Sequence, residues 1–319
     1  MTPPIDETLD KPEWAAHRER GNVWAMQAFV WCALLLGRRV GRLLLFPICT
    51  YFMLFSHTGR RASRGYLARL FGRKPTWREV FRHHYAFAST LLDRAFLLRG
   101  RAEVLAFTRN PCEPLYAMRQ AGQGFMFLGA HMGSFEVTRY FGAKYAGLKL
   151  RMLMYEDNAQ KVGRVARSLA GDLLPIIRLG NFDALLKAKE ALDRGEVVGL
   201  LGDRVFDARK YIEVPFLGQP AAFPTGPFLL AHTLKVPVVL FFGLYAGGNR
   251  YIEHAEVFAE RITIDPARRQ EDLARWARRY AERLEHYCRA YPYNWFNFYD
   301  FWAKPRAPKH ADKRQAKAA

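Results

Sequence analysis

The stretch Gly124–Gly142, GFMFLGAHMGSFEVTRYFG, decides how the rest of the chain is read. It opens as an apolar run, breaks at Gly129-Ala130-His131, passes through Met132-Gly133-Ser134, and becomes periodic from Phe135. That order predicts a buried strand, a tight loop carrying His131, and a helix starting near Ser134 with Glu136 in its first turn. Residues five apart lie off one helical face, so His131 belongs to the loop, where it can turn back towards Glu136. A histidine after a strand and beside a carboxylate is a natural general base: the carboxylate fixes the tautomer and stabilises the imidazolium. Nine His and 30 acids in 319 residues give about one such pair by chance. The spacing therefore gains weight only from its strand–loop–helix setting.

Working outward, the core alternates strand and helix. Strands are expected at Phe125–Gly129, Leu148–Met154, Leu173–Ile177, Val197–Leu201, Pro237–Leu244 and Tyr251–Phe258. Helices are expected at Phe135–Tyr145, Phe182–Arg194 and Thr225–Leu234, with Asn158 capping another that carries Lys161, Arg164 and Arg167. Such alternation predicts an α/β fold with a mostly parallel central sheet flanked by helices. Ligands gather at the carboxyl ends of such strands. His131 and Asp203 both follow a strand directly, so both can reach one crevice.

The flanking segments read differently. Residues 1–22 form a polar N-terminal segment without the basic start and cleavage site of a signal peptide. Residues 23–110 are expected to be a membrane-associated helical region. Its two apolar halves, Val23–Leu36 and Leu43–Phe55, fall short of the ~20 residues that span a bilayer, and Arg38, Arg39 and Arg42 separate them. Helices embedded in or lying on the membrane, with those arginines at headgroup level, fit this pattern; an ordinary core helix and a single tilted span are the alternatives. Arg60, Arg61 and Arg64 then suit an anionic cytoplasmic surface. Tyr66–Arg101 is helical in pattern, and its adjacent His83 and His84 point apart, so they are no ready chelating pair. Residues 111–302 are expected to form the core, ending in a long C-terminal helix, Asp265–Tyr291. The aromatic run Pro292–Trp302, PYNWFNFYDFW, has three open placements: over the substrate site, at a bilayer interface, or capping the core. Residues 303–319 form a basic tail of disordered composition.

Lys plus Arg number 49 against 30 acids, a net charge of +19, which implies an anionic partner. Nucleic acid is not expected, because no zinc-finger, basic-zipper or RNA-reading motif appears. The four cysteines, Cys32, Cys49, Cys112 and Cys288, are scattered and read as buried reduced thiols in a cytoplasmic setting. No phosphate-binding glycine loop, HExxH or Cys/His cluster appears, so neither a cofactor nor a catalytic metal is expected.

These landmarks resemble the lysophospholipid acyltransferase superfamily, in particular its bacterial lipid A biosynthesis acyltransferase branch. The glycine-flanked His131 with Glu136 five positions on is similar to that family's signature. Arg151 with Tyr155-Glu156-Asp157-Asn158 resembles its second block, and Gly195-Glu196-Val197-Val198 with Gly202-Asp203 its third. Val214-Pro215-Phe216-Leu217-Gly218, Pro220-Ala221-Ala222 and Thr225-Gly226 resemble the block after it. The similarity runs from about Trp24 to Trp302. Three places depart from it: Ser134-Phe135 where the lipid A enzymes commonly have Asn-Trp, Asp203-Arg204-Val205 where they have two acids, and the closing Asn294–Phe298.

The resemblance implies transfer of a fatty acyl group from a thioester donor, acyl carrier protein or acyl-CoA, to a hydroxyl of a lipid or glycolipid acceptor. His131 would be the general base and Glu136 would hold it. The oxygen would attack the thioester directly, and Ser134 is not needed as a nucleophile. Backbone N–H groups around Gly133-Ser134 or an arginine would stabilise the oxyanion. The arginines are Arg151, Arg164, Arg167, Arg178 and Arg204, with Arg151 best supported by motif and Arg178 next. Asp203, Arg204, Thr225 and Gly226 complete the substrate-binding candidates. The expected place is the cytoplasmic face of a bacterial inner membrane, against an anionic surface. An aryl-polyene or other non-lipid-A acceptor is the alternative substrate. A non-catalytic membrane-binding module and a nucleic-acid binder are the competing classes.

Overall fold

The computed structural model describes residues 23–110, 112–155, 176–179 and 183–305. The expected helix carrying Lys161, Arg164 and Arg167, Asn181 as the expected cap of the helix Phe182–Arg194, and both chain ends lie outside these residues.

Among the described residues four helices come first: α1 Val23–Leu36, α2 Arg38–Phe55, α3 His57–Phe71 and α4 Trp77–Leu98. The stretch Tyr66–Arg101, helical in pattern, is divided between α3 and α4. Gly72 adopts the left-handed conformation that closes α3, and Pro75 follows before α4 begins. Thr76 and Glu79 start α4 as a reciprocal capping box.

The core then runs β1 Ala106–Arg109, α5 Glu113–Gln120, β2 Phe125–Gly129, α6 Phe135–Ala146, β3 Leu150–Tyr155, β4 Ile176–Leu179, α7 Ala184–Asp193, β5 Val197–Leu201, β6 Tyr211–Phe216, β7 Gln219–Pro224, α8 Gly226–Leu234, β8 Val238–Tyr245, β9 Arg250–Ala259 and α9 Arg269–Ala290. Seven strands form one sheet in the order β1-β9-β8-β2-β5-β3-β4. β8, β2, β5, β3 and β4 run parallel, while β9 turns back antiparallel to β8 and carries β1 parallel to itself. The expected α/β architecture is present, and its central strands are buried on both faces. In β8 every residue is buried, which is why it reads as continuous Val, Leu and Phe rather than as an alternation.

Alternate residues of these strands feed two cores. Met126, Leu128, Val198, Leu200, Leu240 and Phe242 pack on one side with α9 residues Leu273, Tyr280 and Leu284. Phe125, Phe127, Val197, Val239 and Phe241 pack on the other with Val137 and Phe141 of α6. Each such side chain, moved from water to the interior, contributes roughly 1.5–3 kcal/mol.

β6 and β7 form a separate two-stranded hairpin whose turn, Leu217-Gly218, has positive φ at both residues (49° and 76°). That is the backbone a two-residue turn of twisted strands requires. Leu217 is held there by its N–H, which donates to Glu285 Oε2 of α9 at 2.7 Å.

α2 is fastened to the core by its arginines. Arg38 forks onto the buried Asp93 of α4 at 2.7 and 2.8 Å. Arg42 donates to Tyr245 Oη at 2.6 Å and to the Gly248 carbonyl. Both therefore point towards the core, whereas Arg39 is exposed. Cys49 and Cys288 are buried as expected, whereas Cys32 is exposed and Cys112 half-buried; all four are free thiols.

Candidate active site

β2 and β5 are neighbouring parallel strands in register, with Gly129 opposite Leu201. His131 and Asp203 each follow two residues later, so the two side chains leave the sheet at the same height. They meet: His131 Nδ1 and Asp203 Oδ1 are 2.8 Å apart, and the His131 backbone N–H donates to Asp203 Oδ2 at 3.0 Å. The His131 side chain is 23% exposed and that of Asp203 fully buried.

Asp203 is held from every side. Trp295 Nε1–H donates to its Oδ2 at 3.0 Å and Asn297 Nδ2–H at 2.8 Å. Burial pushes the carboxyl group up, but the charge and hydrogen bonds of His131, together with Arg204, outweigh this and hold it well below the usual carboxylate range. An ionised Asp203 only accepts, so Nδ1 of His131 carries the hydrogen. The Nε2 lone pair is left for a substrate, and Nε2 has no hydrogen-bond partner among the described residues. Burial and the positive Arg204 push the His131 imidazole below its ordinary value, and Asp203 offsets this only in part. The ring is therefore neutral near pH 7, the state a general base needs.

The loop that presents His131 is fixed by backbone contacts. Gly133 has φ +66°, and a Cβ there would stand 2.2 Å from the Gly243 carbonyl oxygen. Ser134 caps α6, its Oγ accepting from the Val137 N–H at 3.4 Å. Ser134 is a buried cap, which leaves it no part in nucleophilic chemistry.

Several expectations change here. Glu136 does not hold His131. It sits 3% exposed in the first turn of α6, with Oε1 2.8 Å from Arg94 Nη2 of α4. The two backbone N–H groups expected at an oxyanion are already used: Gly133 donates to the Asn294 carbonyl at 2.9 Å and Ser134 to the Gly243 carbonyl at 2.8 Å. Arg151 pairs with Val198, level with Met126 at the start of β2, and forms an ion pair with Glu196. Five residues of extended chain separate that level from His131, about 16 Å, so Arg151 belongs to the wrong end of the sheet. Arg178 is exposed on β4 at the correct end, but β4 is three strands from β2, about 14 Å. Arg164 and Arg167 lie outside the described residues. Asp203 is no acceptor-binding group, since its carboxylate is buried and saturated. Thr225 starts α8 at Gly226, its N–H donating to the Lys210 carbonyl at 3.1 Å; no described contact brings either residue to His131.

Arg204 is the arginine at the pair. Its Nε donates to Asn297 Oδ1 at 2.8 Å and its Nη2 to the Phe296 carbonyl at 3.3 Å. Asn297 thus bridges Arg204 and Asp203. The aromatic run, whose place the sequence left open, is what completes the site. Met132 and Trp295 form an antiparallel bridge, and the Phe296 N–H donates to the His131 carbonyl at 2.7 Å. Trp295 packs in turn on Tyr66 of α3 and Phe216 of the hairpin, ring centres 5.0 and 5.3 Å away. Its carbonyl takes a 2.8 Å hydrogen bond from His83 Nε2–H, while His83 Nδ1 accepts from the Ser63 hydroxyl. His83 is fully buried and pushed down to about 3 by that burial, so it is a neutral strut.

Fold and site together define an α/β protein with a histidine–aspartate pair at the carboxyl ends of adjacent parallel strands, poised to take a proton. The chain belongs to the bacterial lipid A biosynthesis acyltransferase family, whose model matches residues 11–304. It is an acyltransferase of that type, and such an enzyme requires an acyl donor and a lipid acceptor. A search of curated protein sequences returns no match.

Proposed function

We propose that the protein is a membrane-associated O-acyltransferase in which His131 is the general base and Asp203 its orienting acid. The observation that carries this reading is the 2.8 Å contact between His131 Nδ1 and a buried, ionised Asp203, with the ring still open to solvent. Nε2 takes the proton of the acceptor hydroxyl as its oxygen bonds to the thioester carbonyl carbon. The tetrahedral oxyanion then collapses, the carbon–sulfur bond breaks, and the imidazolium returns its proton to the departing thiolate. The products are an ester and a free thiol, with no acyl-enzyme intermediate. Arg204, whose charge acts on both His131 and Asp203, is the candidate to stabilise the developing charge. A placed base contributes about 10²–10⁴ in rate.

The donor is a thioester of acyl carrier protein or CoA, and the acceptor a hydroxyl of a lipid or glycolipid. Association with the cytoplasmic face of a bacterial inner membrane is supported by the outer faces of α1 and α2. No single described helix is long and apolar enough to cross a membrane. Yet Trp24, Trp31 and Leu35 on α1, and Leu43, Tyr51 and Leu54 on α2, are at least half exposed. They are spaced by seven and four residues on α1 and by eight and three on α2, whole helical turns that put each set on one face. A stripe of that kind facing outward suits helices lying in a bilayer interface.

The test is acyl transfer from labelled acyl carrier protein and acyl-CoA to a bacterial lipid extract. The wild type is expected to form a labelled ester with at least one donor, and His131→Ala to fall by about 10²-fold or more. Equal rates in both proteins would overturn the assignment.

A further inference from the structure

A concave surface whose lining does not include His131 lies at the elbow between α2 and α3. α2 ends at Phe55, and the chain turns through 93° at Ser56 into α3. Outside this elbow is a cleft of about 700 Å³ lined by His57, Arg60, Arg61, Arg64, Lys74 and Pro75 among others. Every charged side chain in the lining is cationic, and the nearby Glu79 is already taken by Arg73 and Thr76. Arg60 fixes the elbow: its Nη1 donates to the Met53 and Leu54 carbonyls at 2.7 and 2.8 Å. Arg61 and Lys74 are exposed. Arg64 lies over the ring of Trp77, 5.1 Å from its centre, and that ring is itself 53% exposed.

The cleft is placed where the apolar stripe of α2 stops. Tyr51, Leu54 and Phe55, all more than half exposed, lead directly into it. With that stripe among acyl chains, the cleft falls at headgroup depth, where an exposed Trp and long cations are at home. The inner face of α3 is committed elsewhere, with Ser63 bonded to His83 and Tyr66 packed on Trp295. α3 therefore carries a cationic cleft on one side and the support of Asp203 on the other.

We propose that this cleft is a docking site for the phosphate of an anionic glycerophospholipid headgroup, which seats the enzyme on the membrane with α3 as the contact helix. This rests on the membrane-associated reading above and adds to it a defined phosphate site. The arginine and lysine donors match phosphate oxygens in charge and in hydrogen-bonding character.

The test is flotation of the full chain with vesicles of pure phosphatidylcholine and with vesicles carrying phosphatidylglycerol. Three proteins are compared: wild type, Arg61→Glu/Lys74→Glu, and the control Arg269→Glu/Arg278→Glu on α9. Arg60 is left intact because it caps α2, and retained circular dichroism and melting temperature show that each variant folds. The expected result is stronger wild-type binding to the anionic vesicles, reduced about tenfold or more in the cleft variant, with a much smaller loss in the control. Equal losses in both variants, or equal wild-type binding to both vesicles, would overturn the cleft and leave membrane association standing. No wild-type binding to either vesicle would overturn both. Inorganic phosphate bound by the wild type and lost in the cleft variant, with vesicle binding unchanged, would assign the cleft to a soluble phosphate and overturn the lipid assignment.

Discussion

Asp203 grips His131 twice, accepting from its backbone N–H and from its Nδ1–H at 3.0 and 2.8 Å across 72 positions of chain. The backbone contact fixes where the loop lies, and the side-chain contact fixes which nitrogen is bare. Asp203→Asn keeps the size of the side chain but can present a donor to Nδ1 and favour the wrong tautomer. Acyl transfer is expected to fall by about 10²–10⁴ in kcat, measured with a labelled thioester donor, while circular dichroism is retained.

Glu136 supplies the contrast. Its partner is Arg94, and no described contact joins it to His131. Glu136→Gln removes a buried charge opposite an arginine that is 25% exposed. Discounted for that exposure, the cost is about 1–3 kcal/mol of stability. A lowered denaturation midpoint is expected, with the pH dependence of kcat/KM unmoved. A shifted acid limb would instead place Glu136 beside the base.

The pH profile itself carries the third prediction. A base with a depressed value works down to lower pH than a free histidine, so kcat/KM is expected to rise with pH along an acid limb below about 6.5 and then level. Arg204 is one cause of that depression. Arg204→Gln removes the positive charge, so His131 holds its proton more tightly. The acid limb is expected to move to higher pH, beyond any change in the plateau.

Trp295 tests the support of the dyad. Trp295→Phe keeps an aromatic ring among Tyr66, Phe216 and Phe301 but deletes the 3.0 Å donor to Asp203. One hydrogen bond to a buried charge is worth about 1.5–3 kcal/mol. Stability is expected to drop by that order, and kcat by roughly tenfold as Asp203 gains freedom.

Two glycines separate strain from collision. Gly133 and Gly218 both have positive φ, but a Cβ at Gly218 meets nothing within 4 Å whereas one at Gly133 strikes the Gly243 carbonyl. Gly218→Ala is expected to cost about 1–2 kcal/mol. Gly133→Ala is expected to fail to fold or to lose activity altogether, read by soluble yield and melting temperature.

Much of this was legible in the sequence because the signals were local. The apolar runs Phe125–Gly129 and Val197–Leu201 gave strands with those bounds, and the periodic face of Leu273, Trp276, Tyr280 and Leu284 gave α9. That His131 and Asp203 share a crevice followed from each ending a strand. Which acid touches the imidazole did not, because Glu136 is near in sequence while Asp203 is near through strand register. The β6–β7 hairpin was missed because Pro215 and Pro220 break the strand pattern and Leu217 is not a turn residue. Both prolines stand in a two-stranded ribbon, where each strand has a free edge. The role of Asn294–Asn297 was hidden as well: an aromatic run reports burial and carries no sign of which charge it encloses. The pairing of Arg38 and Arg42 was hidden because their partners, Asp93, Tyr245 and Gly248, are distant in the chain.

The central claim is that Asp203 takes the Nδ1 hydrogen and leaves a neutral His131 with a bare Nε2. Nitrogen-15 NMR of histidine-labelled protein, assigned with a His131 variant, reads this directly across a pH series. The account predicts a neutral Nδ1–H ring at pH 7 that takes up a proton only below the range of a free imidazole. A neutral Nε2–H ring, or one already protonated at pH 7, would contradict it.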